Sequence, residues 1–266
     1  MEISQSRDLE DDNQNHGYSF IQLADDAKLF SNFKRKETQE KFFQWGLTEK
    51  NLKFAKYRFN QTFHLVGADN FLRDLCNDKT IQSTFEPLSY LAGCTGVKYK
   101  KLNSEVINMS FFDFLVEKDI ATADGYIRKE LEELYEGISL GDRMRKALLW
   151  EESEYFMELQ EDKIQNEFIF KLFQMISIGG SICQYEENLK EYLDLIKNLY
   201  KDLITVAKDQ DSGEIKIYSH VFLVEAVEGL ESLFPVKDHP QNFFFVIVDP
   251  IHWHVTLLYH KWSNYW

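Results

Sequence analysis

Little in this sequence interrupts a packed chain. Its 266 residues include only 12 glycines and 4 prolines, too few for long flexible linkers or low-complexity repeats. The three cysteines, Cys76, Cys94 and Cys183, are odd in number, far apart and without CxxC spacing. That excludes a disulfide framework and a zinc knuckle, and leads to an expectation of buried thiols in a reducing compartment. No apolar run approaches the roughly 20 residues that a membrane-spanning helix needs. The first residues carry Glu2, Asp8, Glu10, Asp11 and Asp12 without a basic or apolar stretch, so no secretory leader is expected and the expected location is cytoplasmic. The turn Gly93-Cys94-Thr95-Gly96 lacks the Gly-Lys-Ser/Thr of a phosphate loop, and no GxSxG elbow presents a nucleophile.

What the chain has in quantity is aromatic residues: 22 Phe, 13 Tyr and 5 Trp. A chain of this length buries roughly 70–75% of its unfolded surface, so these residues can supply a core without staples. Net charge is −14, unevenly spread. Residues 1–109 carry 15 basic and 15 acidic side chains, residues 110–214 carry 12 and 24, and residues 215–266 carry 3 and 5. Residues 28–58 are locally basic, with 9 basic against 3 acidic. An acidic middle argues against nucleic acid, whose phosphates need a net basic face. It suits a solvated surface or docking to a protein of mixed charge.

Periodicity predicts an α+β fold in which a helical middle packs on an antiparallel C-terminal β-sheet. Residues 1–17 read as an acidic, disordered arm and 18–266 as one α+β domain, with possible sub-lobes at 18–109 and 110–266. Strands are expected at 18–23, 54–64 and 97–101. Helices are expected after Asp25 (carrying Leu29, Phe30 and Phe33), after Thr38 (Phe42, Phe43 and Trp45, stopped by Gly46), after Asp69 and after Ser110. Further helical segments are expected at 125–136, 142–152 and 161–178, the last with Ile164, Phe168, Leu172 and Met175 on one buried stripe.

Residues 179–206 are the pivot, because the pattern before them is mostly helical and after them almost all strand. A helix beginning near Glu186 places Leu189, Leu193, Ile196, Tyr200 and Leu203 on one stripe, expected to pack on the following sheet. Four antiparallel strands follow: 204–208, 215–223, 243–248 and 251–260. The turn 179–186 contains paired glycines and polar Gln184, Tyr185 and Glu186, residue types that core packing does not explain.

On the last strand, alternation sets Ile251, Trp253, Val255, Leu257 and Tyr259 against His252, His254, Thr256, Leu258 and His260. A polar outer face is the default for the second set. The alternative is a metal held by His252 and His254 with His220 or His239 as third ligand, although no carboxylate sits at ligand spacing on that strand. Cys183 near a helix start raises the question of a lowered thiol pKa, but no histidine is local, and a structural cysteine is expected. The acidic run from Glu151 to Asp162 reads as a solvated face rather than as catalytic carboxylates.

Several segments, in order and at similar spacing from 18 to 260, resemble the cilia- and flagella-associated protein 300 family. They are Gln61-Thr62-Phe63, Met109-Ser110-Phe111-Phe112, Gly179-Gly180-Ser181-Ile182-Cys183-Gln184-Tyr185-Glu186, Tyr200-Lys201-Asp202-Leu203, Val221-Phe222, Val248-Asp249-Pro250-Ile251 with His254, and Leu258-Tyr259-His260. The resemblance implies a non-enzymatic factor without cofactor, needed for assembly of outer and inner axonemal dynein arms. It further implies action in the cytoplasm and the cilium or flagellum axoneme. The implied partners are dynein preassembly factors, axonemal dynein subunits and the intraflagellar transport machinery, with neither nucleic acid nor membrane. No catalytic residue carries over, and His252 departs from the family pattern. Residues before His16 and the aromatic tail 262–266 lie outside the resemblance. Partner-binding candidates are Gln184, Tyr185 and Glu186 in the turn, and His254, Tyr259 and His260 on the last strand. Two rivals stand beside this reading: a metal-binding enzyme using the histidine-rich strand, and a static axonemal component.

Overall fold

Apolar, β-branched and aromatic runs near both ends of the chain pair with one another to make the central sheet. The computed structural model describes residues 17–24, 28–180, 186–209 and 213–262. The early strands are β1 (Phe20–Gln22), β2 (Leu52–Phe59) and β3 (Val97–Leu102). Two short ribbons follow, β4 (Lys129–Tyr135) with β5 (Ile138–Asp142), and β6 (Val206–Lys208) with β7 (Ile215–Ile217). The late strands are β8 (His220–Val227), β9 (Phe243–Asp249) and β10 (His254–His260). Spatial order is β1-β2-β10-β9-β8-β3, and all neighbours are antiparallel. The α+β class and the antiparallel sheet are as expected, but three of the six strands come from the first 102 residues. Residues 206–208 pair with 215–217 as the expected hairpin, but this ribbon, β6–β7, stands apart from the sheet rather than within it.

Both faces of the sheet are covered. On β9, Phe243, Phe245 and Ile247 enter one core and Phe244, Val246 and Val248 the other. The second core is roofed by α2 (Ala68–Asn77) and α3 (Lys79–Thr84), through Phe71, Leu72, Leu75 and Ile81. The first core is roofed by α1 (Lys36–Gln44), α4 (Phe114–Glu117), α5 (Arg143–Leu149), α6 (Asp162–Gln165), α7 (Phe168–Ile178) and α8 (Leu189–Leu203). This arrangement overturns the polar outer face expected of the last strand. Thr256, Leu258 and His260 are all buried, beneath the helical layer. Two-sided burial favours apolar residues at every position of a strand, which is what Phe243–Asp249 has and what single-face alternation overlooks.

The largest local revision is at 125–136. Leu131 and Leu134 are spaced as on a helix, yet they are 78% and 77% exposed on β4. The hairpin instead buries Ile138 and Leu140 of β5. Its two-residue turn, Glu136-Gly137, has φ of 46° and 79°, the positive pair whose twist matches antiparallel strands. Around Phe30 the chain makes turns rather than a helix, with φ +55° at that residue; Asp25 lies outside the described residues. Asn108, not Ser110, caps the short turn of helix at Met109–Asp113, and Gly67 rather than Asp69 precedes α2. Strand β2 ends at Phe59, short of the expected 64. The 161–178 segment is broken between α6 and α7, where Asn103 bonds to the backbone of Asn166 and Phe168.

Helix α8 starts at Leu189, with the Asn188 side chain accepting from the Lys190 N–H. Its buried side chains are Leu189, Tyr192, Leu195, Ile196, Leu199 and Leu203, while Leu193 and Tyr200 are only half-buried. The buried stripe is therefore rotated from the expected one, because α8 packs side by side with α7 as well as over the sheet.

Candidate functional site

Helix α7 ends at Gly179, whose φ of +79° and ψ of −159° are open to glycine and strained for other residues. Gly180 then donates its N–H to the Trp45 carbonyl at 2.8 Å. A Cβ on Gly180 would lie 1.9 Å from the Gly46 carbonyl oxygen, so the close backbone approach requires glycine. The fully buried Asn51 holds the opposite wall. It donates from Nδ2 to the Gly46 carbonyl at 2.8 Å, accepts the Thr48 N–H at 2.7 Å, and receives the Lys261 N–H on its own carbonyl at 2.9 Å.

Gln241, between β8 and β9, completes this brace. Its Nε2 donates to the Gly180 carbonyl at 2.7 Å, and its carbonyl accepts from His260 Nδ1 at 2.5 Å. Because a carbonyl can only accept, Nδ1 of His260 carries the hydrogen. Burial pushes the His260 pKa down to about 4, so the ring is neutral at pH 7. The His239 ring accepts the Gln241 N–H at 3.2 Å and lies 4.9 Å from the Trp262 ring. Among the described residues His260 Nε2 and Gln241 Oε1 are buried without a hydrogen-bond partner.

The candidate residues therefore separate. Gln184, Tyr185 and Cys183 lie outside the described residues. Glu186 accepts the N–H groups of Glu187 and Asn188 at 3.0 and 2.9 Å, which explains its polarity as support for the start of α8. His260 and Tyr259 point to opposite faces of β10 and both are buried. The Tyr259 hydroxyl donates to the Leu233 carbonyl at 3.0 Å, and its ring stacks on Phe234 at 5.1 Å. His254 sits at the far end of the strand, roughly 20 Å from His260 at the usual strand rise.

Around His254 the geometry is local. Its ring stacks 6.0 Å from that of His252, while His252 Nδ1 is 2.6 Å from Asp249 Oδ2. The same carboxylate oxygen accepts from Thr205 at 2.6 Å. Burial lowers the pKa of His254. Neither proposed third ligand joins this pair, because His220 packs 5.5 Å from the Phe63 ring and His239 lies in the brace. Among the described residues no three His, Cys, Asp or Glu side chains gather to hold a metal ion. Cys76 and Cys94 are free and buried, and share a hydrogen bond that raises the first thiol and lowers the second to about 7.

One feature escaped sequence reasoning. Beside the C-terminal half of α8 lies an apolar groove of about 520 Å³, walled by Val106–Met109 of the loop after β3, by Ile169 of α7, by α8, and by the ribbon β6–β7. Ile107, Val206 and Ile215 on its walls are 66%, 53% and 55% exposed. The signal was a set of short aliphatic pairs, Val106-Ile107, Ile204 with Val206, and Ile215 with Ile217, each of which reads locally as strand.

A family profile described as cilia- and flagella-associated protein 300 matches residues 17–260. Two relatives carry the same name. The one from Paramecium tetraurelia is 33% identical over 266 residues, covering 97% of this chain and 99% of the relative. The one from Chlamydomonas reinhardtii is 32% identical over 239 residues, covering 84% and 90%. No solved structure matches the chain significantly. Fold and comparisons define a cilium- and flagellum-associated α+β protein with helices on both faces of its sheet. The chain belongs to the cilia- and flagella-associated protein 300 family. None of the helices among the described residues is long and apolar enough to cross a membrane.

Proposed function

We propose that the protein acts without catalysis, by protein–protein interaction, in the assembly or transport of outer and inner axonemal dynein arms. The observation that carries this reading is the match to ciliary proteins over residues 17–260. Three residues of the histidine-rich C-terminal segment support it, because they are engaged in structural contacts. His260 is spent on the brace, Tyr259 on the second core and His252 on the Asp249 turn. The partners are dynein preassembly factors, dynein subunits and the intraflagellar transport machinery. The protein works in the cytoplasm and travels into the cilium. Deletion in a ciliated cell should leave cilia present but immotile, with arms missing in electron micrographs. Normal arms after deletion would overturn the reading.

A further inference from the structure

We propose that the groove beside α8 docks an acidic amphipathic segment of a partner polypeptide, whose apolar side chains fill the groove while its carboxylates meet Lys197, Lys201 and Lys208. This rests on the reading of the protein as an interaction factor and names the surface and the chemistry of the partner.

Residues 110–214 carry 24 acidic against 12 basic side chains, yet among the described residues the only charged ones lining the groove are Lys197 and Lys201. They stand four apart on α8, so both project from the same side of the helix. Lys208 lies directly opposite Ile215 in the ribbon, and alternation puts it on the same face as Val206. All three lysines are exposed, and none forms an ion pair among the described residues. Neighbouring lysines do: Lys190 pairs with Asp194, and Lys216 with Asp209 at 2.7 Å. On an acidic surface, unpaired cations at the mouth of an apolar trough call for an occupant that brings negative charge.

Ile107, Val206 and Ile215 come from three separate elements and are each more than half exposed around one cavity, a concentration of aliphatic surface that marks a binding site. The lysines stand on two walls, α8 and the ribbon, so their partners must be spaced along the occupant. A polypeptide with several carboxylates meets that demand. A single-headed lipid does not.

The test uses the full chain and a labelled helical peptide with a leucine stripe flanked by glutamates, beside a twin with lysines in place of the glutamates. Fluorescence anisotropy should give saturable binding of the first peptide and at least about tenfold weaker binding of the twin, a gap of about 1.4 kcal/mol. Lys197→Glu with Lys201→Glu should reverse that preference, and Ile215→Glu should weaken both peptides about tenfold or more. These exposed positions should leave thermal unfolding unchanged, which separates lost docking from lost fold. Equal binding of both peptides, or binding indifferent to Ile215→Glu, overturns the proposal. So does a wild-type dimer in light scattering that Ile215→Glu dissolves, since the groove would then be covered by a second copy. In deleted cells, wild-type chain that restores dynein arms together with Ile215→Glu chain that restores them equally refutes the groove and leaves the functional reading standing. Arms that never depended on the protein refute the functional reading, while peptide binding still judges the groove.

Discussion

Asp202, near the end of α8, accepts from Asn32 twice, from its backbone N–H and its side-chain Nδ2, both at 2.7 Å. The same carboxylate takes the Phe33 N–H at 3.1 Å. It thereby satisfies the turns that replace a helix at 28–35 and anchors Phe30 and Phe33 in the first core. Hydrogen bonds to a charged acceptor contribute about 1.5–3 kcal/mol. Asp202→Ala should cost about 3 kcal/mol, and Asp202→Asn less. Urea unfolding checks this as a lower midpoint at unchanged slope.

Gly180 and Gly93 make a contrasting pair. A Cβ at Gly180 meets the Gly46 carbonyl oxygen at 1.9 Å and Asn51 Nδ2 at 2.6 Å, whereas one at Gly93 meets nothing within 4 Å. Backbone has no rotamer with which to move aside, so Gly180→Ala should cost more than about 4 kcal/mol or prevent folding, and Gly93→Ala should stay within about 0.5 kcal/mol. Soluble yield and denaturation midpoint report both.

His260 gives stability a pH dependence. Its pKa falls from 6.5 to about 4 on folding, so between those values the unfolded chain binds the extra proton. Stability is then full above about pH 6.5 and declines as pH falls toward 4, by about 3 kcal/mol for this group. Burial lowers His220, His239 and His254 as well, adding in the same direction. His260→Gln keeps a donor for the Gln241 carbonyl but removes the titration. The drop in unfolding free energy from pH 7 to pH 4.5 should shrink in that variant; an unchanged drop would refute the assignment.

Arg145 is a nearly fully buried cation in the first core. It pairs with Asp142 and donates to the Tyr192 hydroxyl at 2.8 Å, while Asp142 also accepts the Arg145 N–H at 2.8 Å as the cap of α5. Asp142→Asn preserves the cap geometry but strands the guanidinium charge, which should cost about 3–5 kcal/mol. Tyr192→Phe removes one hydrogen bond and should cost about 1–2 kcal/mol. A double-mutant cycle should reveal coupling, because the two changes act on one buried group.

Metal content tests the histidine pair. With His252 Nδ1 engaged by Asp249 and no third ligand gathered nearby among the described residues, protein purified without chelator should carry only substoichiometric zinc and iron. One equivalent that disappears with His254→Ala would overturn this.

Helices α7 and α8 and the strands after residue 214 were legible in the sequence because each carries a long or strongly alternating apolar pattern. Pairing of β2 with β10 was not, since register between segments some 200 residues apart leaves no local trace. Residues 125–136 misled because Leu131 and Leu134 imitate a helical stripe, while the informative part was the Glu136-Gly137 turn. In the candidate site, the paired glycines read as unexplained by core packing, whereas Gly180 is there because two backbones meet. The polar residues around them could not show that His260 and Gln241 would be the ones to meet there, because those contacts join segments far apart in the sequence.

The sheet order also fixes a sequence of events during synthesis. Strand β10, the latest in sequence of the sheet's described strands, lies between β2 and β9, so until residues 254–260 are made the sheet exists only as two unjoined parts, each with an open edge. Both cores line that seam, and apolar surface from β2 waits for the final strand. The nascent chain thus gains its fold late and all at once. A message truncated before codon 254 would lack β10 and yield a polypeptide with two aggregation-prone edges rather than a shortened working protein.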